Sequence, residues 1–172
     1  MMEFRGCNSR PKSRGVPWMV LWTTLPLSTR QPFPKPDWDL LHRAAASIYR
    51  EIQERQMPLR PIHGDSTSPN AVSSQSGPLW FDWEEAFRGP VTRHLACLVT
   101  RGRVLGEAPD ICEALLDGYR PEAVETAALS VLVDARVFET AVWRARHVPA
   151  SYQIDWAERD ERLRWLRARY GD

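Results

Sequence analysis

The stretch HGDSTSPN, from His63 to Asn70, separates a helical part of the chain from a strand-like part and decides the fold class. Its glycine, serines and proline favour a loop. Within this loop the carboxylate of Asp65 and the amide of Asn70 stand five residues apart. An acid and an amide in a loop too polar for a core suit a site that accepts a proton and binds a cation.

Outside the loop and the strand-like segment that follows it, the chain from residue 37 onward is predominantly helical. Apolar residues at helical spacing predict an amphipathic helix over residues 37–55, with Asp37 as its N-cap. Four later helices are predicted, over residues 90–104, 108–118, 121–146 and 156–169. Gly118 is expected to end the second of them, and Pro121 to begin the third. The predicted fold class is α+β, mainly α.

A short β-hairpin follows the loop. The sequence NAVSSQSGPLWFDWE, residues 70–84, places strand-favouring residues on both sides of a Ser/Gln/Gly/Pro turn. If the hairpin is symmetric about Ser76, Asn70 lies opposite Asp82, with Cβ atoms roughly 4.5 to 5.5 Å apart. Two oxygen-bearing side chains at that separation can share Mg²⁺ with phosphate oxygens and water. Asp65 then lies beside the ion as a base, a layout that suits phosphoryl transfer.

The order of these motifs resembles the aminoglycoside phosphotransferase and choline kinase family. HGDSTSPN is followed by LWFDWEEAFRGP and later by LLDGY, and the likeness covers roughly residues 38–145. The resemblance implies a protein-kinase-like C-terminal lobe whose hairpin carries the metal ligands. It makes Asp65 the catalytic base and His63 the residue that braces the loop. It makes Asn70 and Asp82 the ligands of Mg²⁺ and, through the metal, of the ATP phosphates.

The N-terminal ATP-binding lobe of such kinases has no counterpart here. Residues 1–36 read as an irregular segment without a Gly-rich loop, so the phosphotransferase C-lobe-like domain is expected over residues 37–172. The expected function is a truncated small-molecule phosphotransferase that moves the ATP γ-phosphate to a substrate hydroxyl. The alternative is a catalytically inactive remnant that acts as a binding module or has no function.

One position departs from the family pattern. After RGP, where the family usually has an acidic residue, the sequence VTRHLACL offers His94. A neutral imidazole can accept a hydrogen bond from a loop N–H, but it brings no fixed negative charge. His94 therefore puts the geometry of the loop in question.

Composition bounds the partners and the compartment. A formal charge of +1 over 172 residues argues against nucleic-acid binding, and three widely spread cysteines fit a reducing, cytoplasmic setting. The apolar run at residues 16–27 is too short to span a membrane, so no membrane association is expected. The expected partners are a small-molecule hydroxyl substrate and a nucleotide. Self-association, or a separate chain that supplies the missing lobe, is the further expectation.

Overall fold

The computed structural model describes residues 33–119, 123–147 and 156–171. Five α-helices lie in these ranges: α1 (Lys35–Arg55), α2 (Thr92–Val99), α3 (Pro109–Tyr119), α4 (Ala123–His147) and α5 (Trp156–Tyr170). Four short strands are β1 (Leu59–Ile62), β2 (Ala71–Ser74), β3 (Gly77–Trp80) and β4 (Phe87–Pro90). The predicted class, α+β and mainly α, is confirmed.

Helix α4 lies at the centre of the core, in contact with α1, α2 and α5. Its apolar residues are buried on more than one face, because helices pack on several of its sides. Each fully buried Val, Leu or Phe side chain stabilises the fold by about 1.5–3 kcal/mol. The buried apolar residues of α4 are Ala128, Leu129, Val131, Leu132, Val133, Ala135, Val137, Phe138, Ala141 and Val142.

Helix α1 begins two residues earlier than predicted. Pro34 occupies its N-cap position and Lys35 its first turn, so the prediction that Asp37 caps this helix is wrong. Pro36 fits the first turn that follows, because an N–H there has no partner within the helix. Asp37 lies in the first turn instead, and its carboxylate forms an ion pair with Arg167 of α5. Asp37 thus stabilises the packing of two helices rather than one helix end.

The later helices match the predicted ranges closely. Helix α2 continues through a π-helical turn, Thr100–Val104, so this helical segment begins two residues later than the predicted 90–104, because Pro90 belongs to β4. The prediction that Gly118 ends the next helix is wrong by one residue, because α3 extends to Tyr119. Pro121 and the N-terminal segment 1–32 lie outside the described residues.

The four strands form two nested antiparallel pairs. The predicted hairpin is the inner pair, β2 with β3, and it is inserted between the strands of the outer pair, β1 with β4. The outer pair runs from Leu59 opposite Pro90 to Ile62 opposite Phe87. This nesting returns the chain to the polar loop after the hairpin, so both ends of the hairpin lie close to residues 63–70.

Helix α5 attaches to the core through a buried carboxylate. Asp134 of α4 accepts hydrogen bonds from Trp165 Nε1 at 2.6 Å and from the Tyr170 hydroxyl at 2.7 Å, and Arg169 Nε lies 3.1 Å away. Burial raises the pKa of Asp134, although these three partners favour its charged form. The charged face of α5 is also paired internally, for example by Arg162 and Glu158 at 2.8 Å.

No helix among the described residues is both long enough and apolar enough to cross a lipid bilayer.

Candidate functional site

The polar loop begins with a backbone conformation that only glycine adopts easily. Gly64 has a φ of +88°, in the left-handed region. A Cβ atom at this position would lie 2.1 Å from the backbone carbonyl oxygen of Glu85. The loop therefore packs directly against the segment that follows the hairpin, and a side chain at position 64 would force the two apart.

Asp65 and Asn70 are in direct contact across the loop. The Asn70 amide donates to the Asp65 carbonyl oxygen at 2.9 Å and to the carboxylate Oδ2 at 3.0 Å. Both partners are acceptors, so the NH₂ group must face them and its two hydrogens are used. The Asn70 Oδ1 atom is left as an acceptor, which is the atom that a cation would bind.

His63 links this loop to the end of the hairpin. Its ring Nε2 donates to the Phe81 carbonyl oxygen at 2.8 Å, and its Nδ1 accepts from the Asp65 N–H at 3.4 Å. A carbonyl oxygen can only accept, so the neutral ring carries its proton on Nε2. The rings of Trp80 and Trp83 lie 5.5 Å and 4.6 Å from the His63 ring, between centroids. His63 is thus buried between the loop and the two tryptophans.

His94 supports the loop from α2. Its Nε2 atom accepts the backbone N–H of His63 at 3.0 Å, and its carbonyl oxygen accepts the Ser66 hydroxyl at 3.3 Å. Burial, followed by the charges of His63 and Arg93, lowers the pKa of His94. The imidazole is therefore neutral near pH 7, and only the neutral ring can accept the hydrogen bond from the His63 N–H. The histidine thus makes the loop contact without bringing a negative charge.

The hairpin register differs by one residue from the predicted one. Ala71 pairs with Trp80, and the Phe81 N–H donates to the Asn70 carbonyl oxygen at 3.1 Å. The prediction that Asn70 lies directly opposite Asp82 is therefore wrong, because Phe81 occupies that place. The turn has two residues, which centres it between positions 75 and 76.

Asp82 leaves the strand in a left-handed conformation, with φ 62° and ψ 60°. Side chains along a β-strand point alternately to the two faces of the sheet, but the left-handed backbone at Asp82 ends this alternation. The strand pattern therefore does not determine the direction of the Asp82 side chain. The residue is exposed, and its carboxylate forms no hydrogen bond or ion pair with the described part of the chain. The backbone of the preceding residue, Phe81, is hydrogen-bonded to both Asn70 and His63. Because Asp82 directly follows Phe81, these bonds keep the backbone of Asp82 near the loop.

Arg136 of α4 is a further residue of this site, and it was not among the residues predicted from the sequence. Its guanidinium forms an ion pair with Asp65 Oδ1, while the other oxygen of that carboxylate is held by Asn70. Burial alone would lower the pKa of Arg136, but Cys97, Glu139 and Asp65 raise it above its ordinary value. Arg136 therefore remains a cation. The available signal was an arginine, Arg136, directly flanked by the apolar residues Ala135 and Val137.

Within the described ranges, no group of three or more His, Cys, Asp or Glu side chains is arranged to hold a metal ion. The predicted Mg²⁺ site does not have that composition, because it combines one amide, Asn70, with one carboxylate, Asp82. Magnesium sites of this kind rely on phosphate oxygens and water for the remaining ligands. The two donors fit Mg²⁺ by their chemistry.

Comparison of the chain with protein-family models, with curated proteins and with solved structures finds no match to any of them.

Proposed function

We propose that this chain is a small-molecule phosphotransferase that resembles the C-terminal lobe of the aminoglycoside and choline kinases. In this proposal Asp65 accepts the proton of a substrate hydroxyl that attacks the γ-phosphate of ATP. Asn70 and Asp82 bind Mg²⁺, and the ion holds the nucleotide phosphates. His63 fixes the loop that carries Asp65.

The contact between Asp65 and Asn70 is the observation that carries the proposal. It places a carboxylate that is one-third exposed beside an amide whose Oδ1 atom is available to a cation. Phosphoryl transfer needs such neighbours, because the base must reach the hydroxyl while the metal neutralises the phosphate charge. Asp65 has both oxygens engaged, but each carboxylate oxygen can accept a second hydrogen bond.

A binding module without catalysis is the second candidate. Exposed aromatic side chains surround the end of the hairpin: Trp80, Phe81 and Trp83 are 42%, 43% and 56% exposed. An exposed aromatic cluster beside a polar loop is typical of a surface that contacts a partner. This candidate needs no metal and no nucleotide.

Titration with Mg·ATP separates the two candidates. Trp80 and Trp83 flank Asp82 in the chain, so intrinsic fluorescence reports on that position. We expect a saturable change with Mg·ATP in the parent, a smaller or absent change with ATP and a chelator, and none in Asp82→Ala.

The matched control is Glu84→Ala, which removes an exposed carboxylate two residues away. It should keep the response of the parent. If the tryptophan fluorescence of the parent protein did not change with Mg·ATP at millimolar concentration, this would contradict the phosphotransferase proposal and favour the binding module.

A further inference from the structure

Four charged side chains form a continuous row from the core to the polar loop. Arg93 of α2 pairs with Glu139 of α4, Arg136 Nη1 lies 3.5 Å from the same Glu139 oxygen, and Arg136 pairs with Asp65. The side chain of Arg93 is 1% exposed, that of Arg136 16% and that of Asp65 33%. This charge row therefore begins in the core and ends at an accessible carboxylate.

The signs in the charge row alternate and sum to zero. A charge removed from water needs a partner of opposite sign, and loss of one partner leaves the other uncompensated. Glu139 is shared by the two arginines, so its position determines where both guanidinium groups can lie. The row is a coupled set rather than three independent ion pairs.

The Asp65 carboxylate is fixed from two sides by two different elements. Arg136 of α4 holds Oδ1, and Asn70 of the loop holds Oδ2 at 3.0 Å. Two donors on separate oxygens restrict rotation about the Cβ–Cγ bond, since either contact is lost when the group turns. The remaining lone pairs then point in one fixed set of directions, which a base needs in order to meet a hydroxyl.

Arginine suits this place better than lysine would. Arg136 uses Nη2 for Asp65 and Nη1 for Glu139, so two nitrogens of one planar group face two carboxylates. A lysine has a single ammonium nitrogen and lacks the planar fork. Lysine would keep the charge at position 136 but could not hold both neighbours in the same geometry.

We propose that Arg136 is a positioning residue for Asp65, and that Glu139, anchored by Arg93, determines the place of Arg136. Helix α2 then holds the loop twice, since His94, the neighbour of Arg93, accepts the His63 N–H. The kinetic consequence rests on the proposed phosphotransferase function. The effect on the order of the loop does not, so the two can be tested separately.

Hydrogen–deuterium exchange of residues 63–70 tests the positioning directly. In Arg136→Met and Glu139→Gln we expect exchange of this loop to rise about tenfold, equivalent to ~1.4 kcal/mol. The control is Arg144→Met, the same substitution on the same helix, where Arg144 pairs with Glu158 at 2.9 Å. Exchange of the loop should match the parent in this control, and exchange within α4 should stay slow in all three variants.

Arg136→Lys serves where the methionine variant does not fold. It should give loop exchange between the parent and Arg136→Met, because charge is retained and the fork is lost. Phosphate release from Mg·ATP gives the kinetic readout. We expect kcat to fall in Arg136→Met while KM for ATP stays within about twofold, since Arg136 contacts the proposed base and not the proposed metal ligands.

The outcomes are distinguishable. Equal loop exchange in the parent and in Arg136→Met overturns the positioning role, and so does a rise in KM for ATP with kcat unchanged. A parent that neither responds to Mg·ATP nor releases phosphate rejects the proposed function, and exchange alone then decides the role of Arg136. Faster loop exchange in Arg136→Met and Glu139→Gln, with Arg144→Met unchanged, supports the coupled charge row.

Discussion

Gly64 is the glycine at which substitution by alanine should reduce the stability of the fold most. Its left-handed backbone costs a non-glycine residue about 1–2 kcal/mol, and an alanine Cβ would also lie 2.1 Å from the Glu85 carbonyl oxygen. The backbone must shift to relieve that contact. We expect Gly64→Ala to lower the free energy of unfolding by about 3 kcal/mol or more, measured by urea denaturation.

Gly77 provides the control that separates strain from collision. Its φ is +109°, but a Cβ there would meet nothing within 4 Å. Gly77→Ala should therefore show the cost of strain alone, about 1–2 kcal/mol. Similar losses in the two variants would mean that the contact between residues 64 and 85 relaxes freely, contrary to this prediction.

His94 should make stability depend on pH. Burial, His63 and Arg93 lower the pKa of His94 from its usual 6.5, so below that pH the unfolded chain binds more protons than the folded chain. Its contribution is fully present above about pH 6.5 and is lost as pH falls toward the lowered value, by at most ~1.4 kcal/mol per pH unit. His94→Gln keeps an acceptor oxygen without a titrating group.

The measurement is the free energy of unfolding from about pH 7.5 down to about pH 5.5. The parent should lose stability relative to His94→Gln over this interval. His42→Gln, a change at an exposed position of α1, should follow the parent. A difference between parent and His94→Gln that stays constant with pH would show that protonation of His94 does not weaken the fold.

At the scale of elements, helices α1 and α4 could be predicted because each has an apolar stripe that is buried. The stripe fixes the helix and its buried face, but the ends depend on local chemistry. Asp37 has the right residue type for a cap, yet Pro34 precedes the first turn and moves the helix start. Tertiary packing then gives Asp37 another partner, Arg167, which periodicity cannot reveal.

The outer strand pair and the full set of site residues could not be predicted from local sequence patterns, because both depend on contacts between distant parts of the chain. Pro61 and Pro90 disfavour strands, so the outer pair β1–β4 was not predicted; pairing between residues 25 to 31 positions apart supplies what local propensity lacks. The two-residue turn shifted the register by one place, which moved Asp82 away from the position opposite Asn70. Arg136 reaches Asp65 only through packing of α4, 71 residues further along the chain.

At the scale of the whole molecule, the helices bury most of their apolar side chains against one another, whereas the inner hairpin leaves apolar side chains exposed. Strands β2 and β3 pair only with each other among the described residues, so each has one unpaired edge. Val72 and Leu79 oppose each other on one face and are 48% and 53% exposed, and Trp80 lies on the other face. An open edge with exposed apolar side chains promotes pairing between molecules.

We therefore expect the protein to self-associate through this hairpin. Sedimentation velocity should show a larger average mass as concentration rises, and Leu79→Lys should reduce that rise because a charge on an open strand disfavours edge pairing. Ile111→Lys is the matched control, since Ile111 is 61% exposed but lies on helix α3. If Ile111→Lys reduced association as much as Leu79→Lys, the effect would come from net charge and not from the hairpin.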